Sequence, residues 1–184
     1  DLARYGKIVQ QKAALLRGAI APDRDLLLAY NDELLAPGTA LIAARAAFAG
    51  ELAAAARAVY ARWPGTAERV EIAYAPNAAG SLDAALAAGL ESEIRRKTTL
   101  IGPHRDDLRL KIDGKPLDAF GSQGQQRTAV LALKVAEYET MRARSGDAPI
   151  LLLDDVLSEL DAERAGGFLG AVGAFEQAFL TTTE

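Results

Sequence analysis

The sequence predicts a mixed α/β chain, in which a helical first region is followed by a parallel sheet flanked by helices. Two observations support this fold class. Alanine crowds the first 90 residues, where apolar side chains recur at helical spacing, whereas glycine, aspartate and aliphatic runs gather after residue 98. In this later part strand-like and helix-like segments alternate, which is typical of parallel strands covered by helices.

Composition excludes several classes of protein. The 184 residues are 50% hydrophobic, 25% charged and 6% aromatic, which excludes a disordered tail and a low-complexity linker. A net charge of -4 leaves only a local patch for binding a polyanion. The lack of cysteine and the single histidine, His104, exclude a disulfide framework and a Cys-ligated zinc site, and they fit a reducing cytoplasm.

The apolar runs and the first residues predict a piece of a longer protein without a membrane span. No apolar run approaches the roughly 20 residues of a membrane-spanning helix, so we expect no membrane partner. The N-terminus lacks the continuous apolar centre of a signal peptide. The chain starts without methionine and inside a helical pattern, so we expect further residues upstream of Asp1.

Residues 1–97 are predicted to form a helical arm. Apolar residues at helical spacing fall into two sets: Leu2, Tyr5, Val9 and Leu16, then Leu41, Phe48, Leu52, Val59 and Trp63. Between them, residues 25–35 show a short helical pattern that Pro37-Gly38 is expected to end. These helices are expected to pack as an antiparallel hairpin or small bundle.

The arm is expected to end in two further elements. Residues 70–74 alternate with period two, which predicts a half-exposed strand after the turn at Pro64-Gly65. A helix is predicted over residues 81–97, with Ser81 as its N-cap.

Residues 98–184 are predicted to form the sheet-containing region. Strands are expected over residues 98–101, 108–112, 149–154 and 177–182, with helices over residues 122–144 and 161–168 and a turn at Asp113-Gly114. This order makes the last two strands parallel.

The most apolar strand ends in two acids. Ile150 and three leucines precede Asp154 and Asp155, a pattern that predicts a central strand buried on both faces. Ligands of open α/β sheets bind at the carboxyl ends of strands, where one aspartate can hold Mg²⁺ and the next can orient a water for attack on a phosphate. A core strand that merely ends in polar residues has the same pattern.

A glycine-containing segment, 121–127, precedes the helix predicted over residues 122–144. A helix start offers free N–H groups and a positive dipole end, both of which suit a phosphate. Ser122 and Gln125 also satisfy the Ser-x-x-Gln capping box, which needs no ligand. Either interpretation accounts for the segment alone.

Taken together, these motifs indicate a family. The glycine-containing helix start, the strand ending Asp-Asp and the following Ser-Glu-Leu-Asp resemble an ATPase of the ABC type. With GPHRDD at 102–107 and FLTTTE at 179–184, they closely resemble the RecF family, which is related to SMC heads. The resemblance covers residues 98–184 motif by motif and residues 1–97 only in pattern. It implies the C-terminal portion of an ABC-type ATPase lobe with an inserted helical arm.

The resemblance also implies the roles of individual residues. The signature motif that touches the γ-phosphate of ATP on a second protomer would be formed by Ser122, Gln123, Gly124 and Gln125. Asp154 would hold Mg²⁺, and Asp155 stands where many relatives place the glutamate that activates water. An aspartate is one methylene shorter than a glutamate, so we expect slow hydrolysis.

Further positions follow from the same resemblance. Ser158 and Asp161 would lie in the D-loop that crosses the dimer interface, although Asp161 alone also suits a helix N-cap. Thr183 falls near the position of a switch histidine in many ABC proteins, and residues 181–183 could sense the γ-phosphate. A threonine can donate a hydrogen bond there but cannot take up a proton as imidazole does.

One half of an ABC-type ATP site, the phosphate-binding loop, is missing from the sequence. No Gly-x-x-x-x-Gly-Lys-Ser/Thr motif occurs, and that loop determines phosphate affinity. In RecF relatives it lies near the N-terminus, so we expect this chain to be the second half of the protein. The resemblance implies a weak DNA-dependent ATPase at full length and an inactive 184-residue piece.

The resemblance implies a DNA-repair role in the cytoplasm, associated with the nucleoid. The whole protein would bind ATP and Mg²⁺, form an ATP-dependent homodimer on double-stranded DNA near single-strand gaps and junctions, and help RecR and RecO load RecA. A basic cluster, Arg95, Arg96 and Lys97, is the candidate DNA contact, and a solvated surface accounts for it equally.

The remaining motif and the alternative functions stay open. His-Arg-Asp at 104–106 is also found in protein-kinase catalytic loops, but Lys111 stands where the kinase asparagine would be, and no Asp-Phe-Gly follows. A structural histidine and an Arg105–Asp106 ion pair are the simpler interpretations. The alternatives for the whole chain are an SMC-like or transporter ATPase head and a non-enzymatic helical interaction module.

Overall fold

The computed structural model describes residues 2–18, 22–156, 162–173 and 175–181. The first elements in chain order are α1 (Leu2–Gly18), α2 (Arg24–Ala61), β1 (Val70–Ala75), α3 (Leu82–Arg96), a 3-10 turn (Pro103–Arg105), β2 (Asp107–Ile112) and β3 (Lys115–Pro116). The others are α4 (Leu117–Phe120), α5 (Gln123–Ser145), β4 (Leu151–Leu153), α6 (Ala162–Val172) and β5 (Ala178–Leu180). The predicted helices at both ends of the arm, the strand at 70–74 and the late helix-strand alternation are confirmed.

The chain forms two compact units. The first contains Asp1–Phe48 and Tyr74–Leu108, and the second contains Ala49–Ala73 and Arg109–Glu184. Because α2, β1 and β2 pass from one unit to the other, the units do not correspond to a single cut at residue 97. The assignment of 1–97 to an arm and 98–184 to an ATPase lobe stays a prediction.

The first unit packs α1, α3 and the start of α2 around two apolar clusters. One cluster contains Tyr5, Ile8, Leu34, Ala78, Leu82 and Leu86. The other contains Leu16, Leu27 and Leu90. Leu82, Leu86 and Leu90 recur at every fourth position of α3, so a single face of that helix supplies both clusters. Ser81 caps α3 as predicted, accepting a hydrogen bond from the N–H of Ala84 at 3.2 Å.

The prediction that Pro37-Gly38 ends a helix is wrong, because α2 continues through both residues. Proline removes one helical hydrogen bond and strains the preceding turn. Packing compensates here, since Pro37 and Gly38 are both buried. A Cβ placed on Gly38 would lie 2.6 Å from Cδ2 of Leu82 and 3.3 Å from Cε2 of Tyr5, so a side chain at this position would require Leu82 to move.

The strand predicted over residues 98–101 is also wrong. Glu93, which is fully buried on α3, accepts hydrogen bonds from the N–H groups of Leu100 at 2.8 Å and Ile101 at 3.3 Å. The N–H of Thr98 donates to the carbonyl of Glu93 at 3.2 Å. These contacts take the backbone donors that a strand would present to a neighbour, so the segment wraps around the end of α3 instead.

The second unit contains the predicted parallel strands. β4 and β5 pair in parallel with Leu151 opposite Ala178 and Leu153 opposite Leu180. α5 lies against the segment that enters β5, where the rings of Tyr138 and Phe175 meet edge to face with centroids 4.4 Å apart. In the same unit, Trp63 stacks on the fully buried Phe168 of α6, with ring centroids 5.7 Å apart.

The prediction that β4 is buried on both faces is not met within the described residues. Leu151 and Leu153 are buried, whereas Leu152 is 73% exposed and its neighbour across the sheet, Phe179, is 62% exposed. The aliphatic run therefore has one face in the core of the second unit and one face open.

A second sheet has the order β1-β2-β3. β2 and β3 form a hairpin whose turn residues, Asp113 and Gly114, both have positive φ, as a tight hairpin turn requires. The short β3 and α4 were not predicted, since Lys115–Pro116 and Leu117–Phe120 have no periodicity that could be read.

By length and composition α2 could cross a membrane, contrary to the expectation from the apolar runs. The apolar character arises from alanine spread along 38 residues, so no single run displayed it. Core helices pass the same test, and α2 carries buried residues in both units: Leu27, Leu34, Ala56 and Tyr60.

Candidate nucleotide-binding site

The carboxyl ends of β4 and β5 form one polar edge. Asp154 and Asp155 follow β4 directly, and Thr181 follows β5. The N–H of Thr181 donates to the carbonyl of Leu153 at 2.9 Å, which extends the parallel ladder by one bond. The Thr181 hydroxyl then donates to Oδ1 of Asp154 at 2.5 Å and accepts the N–H of Asp155 at 3.1 Å. All three side chains are exposed.

Asp155 has a backbone conformation unusual for a residue other than glycine. Its φ is +47°, in the left-handed region, which aspartate tolerates better than most residues. The chain therefore turns sharply as it leaves β4, and the hydrogen bond from the Asp155 N–H ties this turn to Thr181.

The start of α5 is fixed by a reciprocal cap. Oγ of Ser122 accepts the N–H of Gln125 at 3.2 Å, and Oε1 of Gln125 accepts the N–H of Ser122 at 2.8 Å. The predicted capping box is thus confirmed. The remaining amide group of Gln125 donates to the carboxylate of Glu68, so this side chain is occupied on both sides.

Glu68 is a residue that sequence reasoning missed, because it lies 57 residues from Gln125 along the chain. Partial burial alone would raise its pKa. Hydrogen bonds from Gln125 and from the N–H groups of Glu68 and Ala67, with the nearby Arg164 charge, outweigh burial and lower the pKa. The carboxylate is therefore held in its charged form beside the start of α5.

Contacts along α5 give its direction relative to the sheet. A Cβ placed on Gly124 would lie 2.5 Å from Nη1 of Arg164, a residue in the first turn of α6, the helix that connects β4 to β5. Near the other end of α5, Arg142 pairs with Glu176 at 2.7 Å, directly before β5. These two contacts indicate that α5 runs opposite to the strands. That its start shares an edge with Asp154 and Asp155 stays a prediction.

The two motifs suit complementary parts of a nucleotide. The first N–H groups of a helix have no intrahelical partner and favour anions, and in α5 those of Gln123 and Gly124 are of this kind. No group of three or more metal-binding side chains occurs among the described residues. Mg²⁺ sites at phosphates use only one or two protein carboxylates, so Asp154 and Asp155 fit such an ion.

Three predicted site residues, Ser158, Asp161 and Thr183, lie outside the described residues. Their assignment to a D-loop and a switch position stays a prediction. Thr181 was singled out only as a possible γ-phosphate sensor, yet it contacts both acids. Its position one residue past the strand that pairs with β4 is the sequence signal for this contact.

The basic cluster ends α3. Lys97 has a φ of +53° and its N–H donates to the carbonyls of Glu93 and Ile94, which makes it the C-cap of the helix. Arg95, Arg96 and Lys97 are exposed and complement the negative end of the helix dipole. A role at a helix end and a contact with phosphates are compatible, and DNA binding by the cluster stays a prediction.

The GPHRDD segment has a structural role in the first unit. Tyr5 OH and Nδ1 of His104 are hydrogen-bonded at 2.8 Å. Asp106, whose side chain is 2% exposed, accepts hydrogen bonds from the Tyr74 hydroxyl and from the Asn77 N–H. The guanidinium of Arg105 donates to the carbonyl of Thr99 at 2.8 Å. The simple Arg105–Asp106 ion pair is therefore wrong, since each side chain has other partners.

Comparison with known proteins identifies the chain. No model of a protein family matches it. The DNA replication and repair protein RecF of Roseiflexus castenholzii is 43% identical over 89% of the chain and 46% of that protein. RecF of Geobacillus thermodenitrificans is 40% identical over 100% of the chain and 53% of the relative.

Solved structures agree with the sequence relatives. A structure described as the recombination mediator protein RecF-ATP in the RecFOR pathway has a TM-score of 0.79 at 29% identity, over 100% of this chain and 52% of that one. The corresponding RecF-ATPrS structure has a TM-score of 0.83 at 29% identity, over 100% and 52% of the two chains.

The fold is that of part of an ABC-type ATPase, and the predicted fold class is confirmed. Over its whole length the chain is homologous to RecF, so the predicted resemblance is also confirmed. The chain spans about half the length of the curated relatives it matches.

Proposed function

We propose that this chain supplies half of a composite ATP site in a RecF-length protein of DNA replication and recombinational repair. ATP and Mg²⁺ would drive dimerisation on double-stranded DNA at single-strand gaps and junctions. The dimer would act with RecR and RecO in loading RecA in the bacterial cytoplasm, and slow hydrolysis would release it. Homology to RecF over the whole chain supports the pathway.

The observation that carries the proposal is the direction of α5 relative to the parallel strands of the second unit. Contacts of Gly124 with Arg164 and of Arg142 with Glu176 support a start of α5 directed toward the carboxyl ends of β4 and β5, where Asp154 and Asp155 follow the strand. An anion site and a cation site would then lie on the same side of one small sheet.

The start of α5 would contact the γ-phosphate held by the partner protomer. Gln125 serves the cap and Glu68, so its side chain acts in positioning. The groups left for phosphate are the hydroxyl proton of Ser122 and the N–H groups of Gln123 and Gly124. Their dipole and hydrogen bonds favour an oxyanion without adding net charge.

The acids would act on the protomer's own nucleotide. Asp154 would hold Mg²⁺, which neutralises phosphate charge when bound. Asp155 would orient the attacking water. Its short side chain suits a slow switch, since a nucleophile displaced by about 1 Å can lower a rate roughly 100-fold.

Nucleotide state would control assembly through the γ-phosphate. With ATP bound, the phosphate is contacted by the start of α5 of the partner, and this contact favours the closed dimer. Cleavage removes the shared group, so the closed state loses its differential stabilisation. The 184 residues lack the Gly-x-x-x-x-Gly-Lys-Ser/Thr loop and are expected to bind nucleotide weakly on their own.

The test is ATP-driven dimerisation of the RecF-length protein, measured by sedimentation with and without ATP and Mg²⁺. Ser122→Arg places a bulky side chain at the start of α5 and is expected to abolish the ATP-dependent dimer. Ser145→Arg makes the same change at the exposed far end of the helix and is the matched control. ATP-driven dimerisation that persists in Ser122→Arg would favour a cap without nucleotide contact, as in a helical interaction module.

A further inference from the structure

We propose that Thr181 is a positioning residue that holds Asp154 and Asp155 in the geometry for metal binding and water activation. The inference rests on the proposed ATPase function. A hydroxyl group has one proton and two lone pairs. In Thr181 the proton goes to Oδ1 of Asp154 at 2.5 Å, and one lone pair accepts the N–H of Asp155 at 3.1 Å.

The backbone fixes where this hydroxyl lies. Thr181 is tied to the last residue of β4 by its N–H, which donates to the Leu153 carbonyl at 2.9 Å. In the parallel register Leu153 lies opposite Leu180, so the residues that follow, Asp154 and Thr181, are also neighbours. Sheet pairing therefore places the Thr181 hydroxyl beside both acids.

The hydrogen bond from Thr181 leaves the Asp154 carboxylate able to bind a cation. Thr181 donates to Oδ1 of Asp154, so Oδ2 stays available for a cation. Because a hydroxyl is neutral, it orients the carboxylate without competing with a metal ion as a lysine or arginine would. A hydrogen bond to one oxygen also fixes the plane of the carboxylate, as outer-shell partners of metal ligands do.

The hydrogen bond between the Asp155 N–H and the Thr181 hydroxyl positions the second acid, Asp155. Asp155 leaves the strand with a φ of +47°, and its N–H is satisfied by Thr181. This hydrogen bond stabilises a backbone conformation that a residue other than glycine rarely adopts. Loss of the hydroxyl should let the turn relax and move the carboxylate of Asp155.

The test compares Thr181→Val, Thr181→Ser and the unaltered RecF-length protein. Valine keeps the shape of threonine and removes the hydroxyl, whereas serine keeps it. The measurements are the ATPase kcat and KM, the Mn²⁺ affinity of the ATP-bound protein by electron paramagnetic resonance, and the midpoint of thermal unfolding without nucleotide. Thr140→Val is the matched control, because that hydroxyl only donates to the Ala136 carbonyl of its own helix.

We expect Thr181→Val to lower kcat and weaken Mn²⁺ binding, each by about tenfold, the effect of one lost hydrogen bond at a reacting centre. KM for ATP and the unfolding midpoint should change little, and Thr181→Ser should restore both lost properties. Unaltered kcat and Mn²⁺ affinity in Thr181→Val would overturn the inference. An unaltered protein that neither hydrolyses ATP nor dimerises with it would instead refute the proposed function.

Discussion

Ser122 and Gln125 cap α5 by exchanging hydrogen bonds, with Oγ of Ser122 accepting from the Gln125 backbone at 3.2 Å and Oε1 of Gln125 accepting from the Ser122 backbone at 2.8 Å. The cap uses one lone pair of the Ser122 hydroxyl and leaves its proton for another acceptor. Capping and contact with a phosphate are therefore compatible at this residue.

Replacing Ser122 should separate these two roles. Ser122→Ala removes the acceptor of the Gln125 N–H and should lower the free energy of unfolding by about 1 kcal/mol. Ser122→Asn keeps a capping oxygen and should stay within about 0.5 kcal/mol of the unaltered protein. Urea denaturation followed by circular dichroism measures both. Equal stabilities for the two variants would mean that the cap contributes nothing.

The second prediction concerns the buried ion pair of the first unit, Lys12 and Glu93. Nζ of Lys12 lies 2.5 Å from both Oε2 of Glu93 and Oδ1 of Asn31, and the side chains of Lys12 and Glu93 are 0% exposed. Lys12→Met leaves a buried carboxylate without its cation and should lower the free energy of unfolding by about 3–5 kcal/mol.

Lys7→Met is the matched control, because Lys7 is exposed on the same helix. It should change the free energy of unfolding by less than about 0.5 kcal/mol. Chemical denaturation of both variants under one set of conditions gives the difference. A small effect of Lys12→Met would contradict the view that the buried pair of Lys12 and Glu93 stabilises the first unit.

The single histidine predicts a pH dependence of stability. Burial, and then the neighbouring Arg105 charge, lower the pKa of His104 from its ordinary value of 6.5. The unfolded chain therefore takes up this proton first as pH falls, and the free energy of unfolding decreases below about pH 6.5. The contribution of the neutral His104 side chain to the free energy of unfolding is fully present above that pH. It disappears as pH falls through the pKa of His104 in the folded chain.

His104→Asn should abolish the part of this dependence between about pH 7 and pH 5, since the chain has no other histidine. The lowered pKa of Glu68, with an ordinary value of 4.5, acts at more acidic pH and does not interfere. Unfolding free energies at several pH values compare the two proteins. Parallel curves would show that His104 does not titrate differently in the folded chain.

A further prediction concerns the affinity of the basic cluster for duplex DNA. In the RecF-length protein, reversing the charges of Arg95, Arg96 and Lys97 should weaken duplex binding by at least about tenfold and flatten its dependence on salt, because fewer counterions are released. Reversing Arg4 and Lys7, both exposed on α1, should have a smaller effect. Fluorescence anisotropy over a salt series measures both slopes. Unchanged affinity and slope would remove the cluster from the DNA-binding surface.

Local chemistry made much of this fold predictable. Ser81 and the Ser122–Gln125 pair begin helices because their side chains satisfy backbone donors within three residues. The parallel pairing of β4 and β5 follows from the order of strand and helix. Each of these signals lies within a short stretch of sequence.

The sequence predictions were wrong where side chains far away in the sequence determine the backbone conformation. Pro37 lies inside a helix because Gly38 packs against Leu82 and Tyr5. Residues 98–101 lack a strand because the Glu93 carboxylate takes two of their N–H groups. The Glu68–Gln125 contact is of the same kind, since no local pattern relates residues so far apart.

The central claim is that each nucleotide is shared between the acids of one protomer and the α5 start of the other. The most direct measurement is ATP hydrolysis by an equal mixture of two RecF-length variants, Ser122→Arg and Asp155→Asn, each of which should be nearly inactive alone. A mixed dimer contains one site with both halves intact, so the mixture should regain activity that neither variant has. A mixture as inactive as its two components would contradict the claim.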